Sequence, residues 1–427
     1  MTITGDAVGA DPVPRRISTA RNLRPTKPTW PLWCLTVGMP LAYLLGLHSV
    51  VWCLPGLVFG ARIVSDRSVR FPRSTLPLLV FLGWILLSLS VIPSASGYLL
   101  FGYRWLLFAG ALTSLVWLAN VSKDRVSSAQ IVDWLAALWI TLVVFGFLGV
   151  VLPTFVQASP FQLALGPIGK QGFVDELTRW RFAETQGFLG YQLPRPAAPF
   201  NATNGWGAAI GILTPFFVRS WIVQPDLKRR RIGYIIGAAG VYPILVSVNR
   251  GLWISLGVGL VYFACRKALR GRFGAFAVLI GALVAVAVLL LVTPAGQLVG
   301  DKLEKSDRSN NSRSSLYSLA FEGALDSPLV GNGAPQRIEG ADPSMPPVGT
   351  HGMLWYLMFV HGFVALALFL TWLGGEVLRS GRVRTPDGWW THLALVIGLV
   401  QVPFYGLLPQ VVLFGIAAGL SHREAPE

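Results

Sequence analysis

Apolar runs of spanning or near-spanning length recur twelve times along this chain, and nothing else in the sequence limits its fold so tightly. They lie near 30–47, 48–61, 75–93, 98–118, 131–152, 205–223, 232–248, 251–265, 273–293, 352–373, 389–404 and 406–420. A helix needs about 20 such residues to cross a bilayer, somewhat fewer where flanking side chains snorkel. Buried in a soluble domain, this much apolar surface would not fit. Hydrophobic residues make up 53% of the chain and charged residues 13%, about half the roughly 25% usual for soluble domains. The sequence predicts an all-α polytopic membrane protein of about twelve transmembrane helices. Three cysteines, Cys34, Cys53 and Cys265, lie in or beside apolar runs and form no disulfide framework.

Charge placement tests the count. With the N-terminus inside, the inner segments are 1–29, 62–74, 119–130, 224–231, 266–272, 374–388 and 421–427. These 91 residues hold 23 of the 35 Lys and Arg, whereas the two long outer segments, 153–204 and 294–351, hold 9 in 110 residues. That bias fits twelve spans with both termini inside. It also accounts for the net charge of +15 as topology and headgroup attraction, with no call for nucleic acid. The expected organisation is a disordered basic cytoplasmic tail at 1–29, a single transmembrane domain at 30–420, and a short cytoplasmic tail at 421–427. The first tail precedes many apolar runs and is no cleavable signal peptide.

Function is expected in the two outer loops and in the ionisable residues beside them. In the first loop, Leu177, Trp180 and Arg181 share a helical face, which predicts a short interfacial helix over 174–184. The loop ends in Arg195-Pro-Ala-Ala-Pro-Phe-Asn-Ala-Thr-Asn204. Asn201 or Thr203 suits a helix cap. The free N–H groups of that helix start, with Arg195 nearby, also suit an anion. In the second loop, Leu316, Leu319, Ala320, Gly323 and Ala324 form one helical stripe. Asn310, Asn311 or Ser312 is placed to cap it and Pro328 to stop it, predicting an amphipathic helix on the outer leaflet. Gly331-Asn-Gly333 reads as a turn.

Arg250 falls in the outer hairpin between two spans, where it is either an interfacial anchor or a ligand. Arg104 lies roughly 10 Å below the outer surface at 1.5 Å per residue. An arginine at that depth is costly and implies a role, with a structural ion pair as the alternative. Arg219 lies near the inner end of its span, where it is expected to snorkel. His351 opens a span from outside; His361, ten residues on, reads as a packed or hydrogen-bonded side chain.

Metal-ligand spacings, a P-loop and a dinucleotide fingerprint are all missing from the sequence, so neither a metal site nor a cofactor is expected. Four outer arginines (Arg104, Arg195, Arg250 and Arg313) and one outer histidine remain. Arginine forks bind a diphosphate bidentately and offset the charge that develops as it leaves. A histidine with an ordinary pKa of about 6.5 can act as base toward an acceptor hydroxyl. This set suits an anionic lipid-linked substrate.

Four segments carry a resemblance. They are Arg195-x-x-Ala-x-Phe200-x-x-x-Asn204, Ser247-x-Asn-Arg250-Gly, Arg313-x-x-x-Tyr317 leading to Pro328-Leu-Val-Gly-Asn-Gly333, and His351 opening a span with Gly362. In order, spacing and sidedness the series resembles the O-antigen ligase and polymerase superfamily, over roughly 190–375. The resemblance implies a GT-C-type membrane glycosyltransferase that uses polyprenyl-diphosphate-linked glycans on the outer face of the cytoplasmic membrane. It implies inversion at the anomeric carbon, with Arg250 and Arg313 on the diphosphate and His351 near the reacting centre. Arg195 and Asn204 join them as substrate-binding residues; Arg104 is added on burial alone. The implied partners are a lipid-linked glycan donor, a glycan or lipid acceptor and membrane lipids. The chain departs from the family pattern at Ala198, Thr203, Gly352 and His361. Two alternatives stand beside this reading: a twelve-span carrier of an anionic solute, and a glycosyltransferase using a polyprenyl monophosphate. Carriers usually show internal repeats, and none is evident here. Many monophosphate enzymes carry an acidic pair in the first outer loop, which here reads Leu47-His48-Ser49.

Overall fold

The computed structural model describes residues 28–92, 94–186, 192–292, 296–297, 300, 306–337 and 346–425. The basic arm expected at 1–29 falls almost entirely outside these residues. Helices occupy each of the twelve apolar runs. In chain order they are α1 (Trp30–Leu35), α2 (Met39–Leu45), a run of 3-10 and π turns over 50–59, α3 (Gly60–Ser65), and α4 (Leu76–Trp84), which a 3-10 segment extends to Val91. Then come α5 (Ala95–Asn120), α6 (Ser128–Val151), α7 (Pro160–Ala164), α8 (Gly172–Thr178), α9 (Thr203–Phe217), α10 (Leu227–Val246), α11 (Arg250–Ala268) and α12 (Gly274–Val292). The last four are α13 (Ser306–Asp326), α14 (Met353–Ser380), α15 (Pro386–Gln401) and α16 (Val411–Glu424).

Among the described residues, five helical segments are long and apolar enough to cross a membrane: Arg73–Val91, Ala95–Asn120, Ser128–Val151, Gly274–Val292 and Met353–Ser380. On α12, Ile280, Leu283, Val284, Val288 and Leu291 are all more than half exposed on the protein surface. Such a face suits the hydrocarbon of a bilayer. Local signals set the helix starts. Ser94, Ser127 and Asp226 each accept a backbone N–H from the first turn of α5, α6 and α10. Thr385 does the same for α15, with Pro386 at its first position.

The centre of the bundle is α16 packed along α5. A Cβ on Gly415 would meet the Ala111 carbonyl, and one on Gly419 the Leu118 side chain and the Leu115 carbonyl. This small-x-x-x-small spacing lets the two backbones touch. Polar clasps join the helix ends that the charge bias assigns to the inside. Glu376, fully buried, pairs with Arg379 at 2.7 Å and with His422 at 3.3 Å. Arg219, expected to snorkel, instead pairs with Asp387 at 2.6 Å, because the start of α15 brings a carboxylate within reach. The tail expected at 421–427 is partly core: α16 runs on to Glu424, and Arg423 is buried with its guanidinium on the Val126 carbonyl at 2.6 Å.

The outer segments differ from expectation in three places. First, α8 stops at Thr178, and Trp180 and Arg181 form strand β2, antiparallel to β1 (Val156–Gln157). The extended backbone of Arg179 ends the helix. The interfacial helix over 174–184 is thus a seven-residue helix followed by strands, because ladder partners from 156–157 satisfy the backbone beyond it. Second, a further ladder pairs β3 (Ala183–Gln186) with β4 (Leu193–Pro196), setting Glu184 opposite Arg195. Third, α13 is 21 residues long and starts at Ser306, ahead of the expected caps. Its stripe of Leu316, Ala320 and Ala324 is buried. Tyr317 stacks on Trp355 at 4.3 Å and Phe321 meets Phe363 at 6.0 Å. The stripe therefore faces α14 rather than the leaflet.

Helix α14 is broken at Gly362, whose φ of 82° and ψ of 174° leave the helical region. Pro328–Gly333 fills the break. Asn332 N–H donates to the Phe359 carbonyl at 2.9 Å, Gly333 N–H to Val360 at 3.0 Å, and Phe363 N–H to Pro328 at 2.8 Å. Backbone groups inside a membrane protein need partners, and this loop supplies those the helix gives up. The approach is so close that a Cβ on Gly362 would strike the carbonyls of Pro328 and Leu329.

Candidate functional site

The starts of α9, α11 and α14 meet at one irregular segment, 402–410, between α15 and α16. Its Tyr405 is the hub. The Tyr405 carbonyl accepts the first N–H of α14, from Met353, at 2.6 Å. The Tyr405 hydroxyl donates to the side-chain oxygen of Asn249, the residue before Arg250. Asn249 in turn donates to the Thr203 carbonyl at the start of α9, at 3.2 Å. Gln410 donates to the Gly205 carbonyl at 2.8 Å. Three helix N-termini, each the positive end of its dipole, are thus drawn to one place.

Beside this hub is a cavity of about 300 Å³, lined in part by Ser49, Tyr103, Arg104, Asn204, Thr350 and Tyr405. Phe173 and Leu177 of α8 wall it on one side. Among the described residues, Arg104 is the one charged side chain that lines it. No carboxylate pairs with Arg104 among the described residues. Its guanidinium carbon instead lies 5.0 Å from the centre of the Tyr356 ring, a cation–π contact. A larger pocket, about 630 Å³, lies under the first outer loop beside Gln162, Lys170 and Arg179, and none of the expected site residues lines it.

Of those expected residues, Arg104 and Asn204 share the cavity wall. His351 follows Thr350 of that wall and is half-buried, with Nδ1 3.1 Å from the Thr350 hydroxyl. Arg250 is half-buried at the head of α11, next to the Asn249–Tyr405 contact. Arg313 lies on α13, and its side chain falls outside the described residues.

Arg195 is elsewhere, and its position revises the anion reading of the α9 start. It is buried, donating to the Ser247 carbonyl at 2.6 Å and to Gln186 at 2.5 Å. Gln186 donates to Glu184 at 2.7 Å, and Glu184 accepts the Thr203 N–H at 2.8 Å. Neither Asn201 nor Thr203 caps α9 with its side chain; the protein's own carboxylate occupies that helix start. Arg195 acts as a strut between β4 and the α10–α11 turn.

That turn is strained. Val248, β-branched, has φ 48°, and Leu407 in the cavity wall has φ 52°. Non-glycine residues with positive φ each cost about 1–3 kcal/mol and persist only where surroundings enforce them. Val248 sits between Ser247, gripped by Arg195, and Asn249, gripped by Tyr405. The strain lies two residues before Arg250.

Sequence reasoning passed over Tyr405, Thr350, Gln410 and Glu184. A signal was present for two of them. The stretch Gln401-Val-Pro-Phe-Tyr-Gly-Leu-Leu-Pro-Gln410 puts two prolines and two glutamines between apolar runs, a mark of irregular backbone lining a cavity.

Residues 235–370 match the O-antigen ligase family model. The O-antigen ligase match takes in Arg250, Arg313, Pro328–Gly333, His351 and Gly362, and so covers three of the four segments that carry the resemblance. It leaves out Arg104, Arg195 and Asn204. It supports O-antigen ligase or polymerase-type activity in polysaccharide assembly, in a multi-pass membrane protein. No curated protein matches the chain.

Proposed function

We propose that this chain transfers a polyprenyl-diphosphate-linked glycan to a glycan or lipid acceptor on the outer face of the cytoplasmic membrane. It would do so as a GT-C-type enzyme of about twelve spans. One observation carries the reading: the starts of α9, α11 and α14, which carry Asn204 and Arg250 and follow His351, are tied to the same segment, beside a cavity lined by Arg104.

In this reading Arg250 and Arg313 grip the donor diphosphate, and Arg104 adds positive charge from the cavity wall. His351 takes the proton from the acceptor hydroxyl. The acceptor oxygen then bonds to the anomeric carbon from the face opposite the diphosphate. The bond from that carbon to the diphosphate oxygen breaks, and polyprenyl diphosphate leaves with the electron pair. Its developing charge falls on arginine forks and on the positive ends of helices. The sugar is inverted. Arg195 acts indirectly, by setting the turn that presents Arg250. Ligase and polymerase share this chemistry and differ in whether the acceptor is a different molecule or the growing glycan itself.

The deciding experiment is reconstitution in liposomes with a polyprenyl-diphosphate-linked oligosaccharide and a hydroxyl-bearing glycan or lipid acceptor. Release of polyprenyl diphosphate matched by acceptor extension is expected. Saturating donor with no release, or movement of donor across the bilayer without bond cleavage, would overturn the proposal.

A further inference from the structure

Arg104 does not hang freely in the cavity wall. The Tyr356 ring beneath it is buried, and its hydroxyl lies 3.3 Å from His361 Nε2. His361 is itself buried, with Nδ1 2.9 Å from the Ser88 hydroxyl. Ser88 lies 2.8 Å from the Val330 carbonyl.

The protons in this chain can be placed from its far end. A carbonyl cannot donate, so the single hydroxyl proton of Ser88 goes to Val330. His361 Nδ1 must then donate to Ser88. That leaves Nε2 of the neutral ring as an acceptor, and the Tyr356 hydroxyl donates to it. Every donor meets an acceptor, and the order runs from Tyr356 to His361, Ser88 and Val330. Val330 belongs to the loop that fills the break in α14, and His361 is the residue before Gly362 at that break. The chain therefore starts where backbone hydrogen bonds fix the loop and ends under the Arg104 guanidinium.

We propose that Tyr356 and His361 are positioning residues that hold the Arg104 guanidinium over the cavity to receive the phosphate groups of the donor. The proposal rests on the functional reading above for the identity of that ligand. Tyr356 and His361 touch no substrate; they act through Arg104.

A double-mutant cycle tests it, with two readouts on full-length protein in liposomes. The first is the donor KM for a polyprenyl-diphosphate-linked oligosaccharide at saturating acceptor. The second is binding of farnesyl diphosphate, read by tryptophan fluorescence, which needs no turnover. Tyr356→Phe keeps the ring but removes both the hydroxyl's hydrogen bond with Arg104 and the tether to His361, whereas His361→Leu removes the tether's acceptor alone. Each should raise the donor KM and the farnesyl diphosphate Kd roughly fivefold, about the net worth of one intramolecular hydrogen bond. The acceptor KM should not move. In an Arg104→Ala background the same Tyr356→Phe change should alter either constant by less than about twofold, because coupled residues are non-additive. Equal effects in both backgrounds would overturn the proposal, as would an unchanged donor KM in Tyr356→Phe. If His361→Leu does not fold, Tyr356→Phe still decides. Binding with the expected coupling but no transfer would sink only the functional reading. Transfer with additive effects would sink only the positioning chain. Neither transfer nor binding by the wild type would overturn both.

Discussion

The carboxylate of Glu184 accepts the backbone N–H of Thr203 at 2.8 Å, so a residue of β3 caps a helix that begins nineteen positions later in the sequence. The contact joins the outer loop to the cavity wall, since Asn204 is the next residue. Glu184→Ala should cost about 1–2 kcal/mol, the usual price of a lost cap, and weaken donor binding by displacing Asn204. Glu184→Gln keeps one acceptor and should lose less. Thermal unfolding in detergent checks the first claim; an Ala variant as stable as wild type would show that the cap is idle.

Gly362→Ala should be among the most damaging single-methyl changes in the chain. The residue has φ 82°, and its new Cβ would lie 2.6 Å from the Leu329 carbonyl carbon. A clash with backbone at a positive φ has no side chain to yield, so a loss of more than about 3 kcal/mol is expected. Yield and melting temperature of the purified variant measure it. Gly374→Ala, in the same helix with open space around it, is the control and should be neutral.

Arg250→Lys and Arg313→Lys keep the charge and lose the planar fork. Each should lower transfer at least about tenfold, a loss of roughly 1.4 kcal/mol, while membrane insertion is unchanged. Activity should also survive EDTA, because arginine supplies the positive charge in the proposed mechanism. Lysine working as well as arginine at both positions would leave only bulk charge. A chelation loss restored by a divalent ion would require a metal site.

The proton-accepting role proposed for His351 has a sign. A base works only when neutral, so turnover should rise with pH as His351 loses its proton. An imidazolium that merely binds phosphate would give the opposite slope. His351→Gln should cost at least about a hundredfold, the lower end of general-base contributions, and flatten the profile. Near-normal turnover in that variant would exclude both chemical roles.

Sidedness is open to labelling. Gln157 and Ser122 are both exposed, on segments assigned to opposite sides. In a background with Cys265 replaced, Gln157→Cys should react with an impermeant thiol reagent added outside, and Ser122→Cys should not. Labelling of Ser122→Cys alone would invert the topology and put the cavity on the wrong face.

The helical, membrane-protein character was legible because a bilayer imposes both length and apolarity; helices formed on every apolar run, and five described segments are long and apolar enough to cross. The backbone setting of Arg250 and His351 was legible because one opens α11 and the other stands two residues before α14, a local property. Glu184 and Arg195 were not, since their roles depend on β3 pairing with β4 and on a turn 52 residues away from Arg195. Trp180 misled for a related reason. Its spacing from Leu177 fits a helix, but over so few residues a strand partner outweighs periodicity. Pro328–Gly333 read as a turn because a helix break is invisible until the loop that fills it is seen beside it.

That loop has a second effect. Gly333 is bonded to Val360, Gln336 bridges to Val348, and His351 stands just ahead of the first turn of the same helix. The stretch 334–350 thus leaves α14 at one depth and rejoins it at another, with both attachment points fixed by backbone. The backbone that leads to His351 is therefore tied, through Val348 and Gln336, to the loop that fills the break at Gly362.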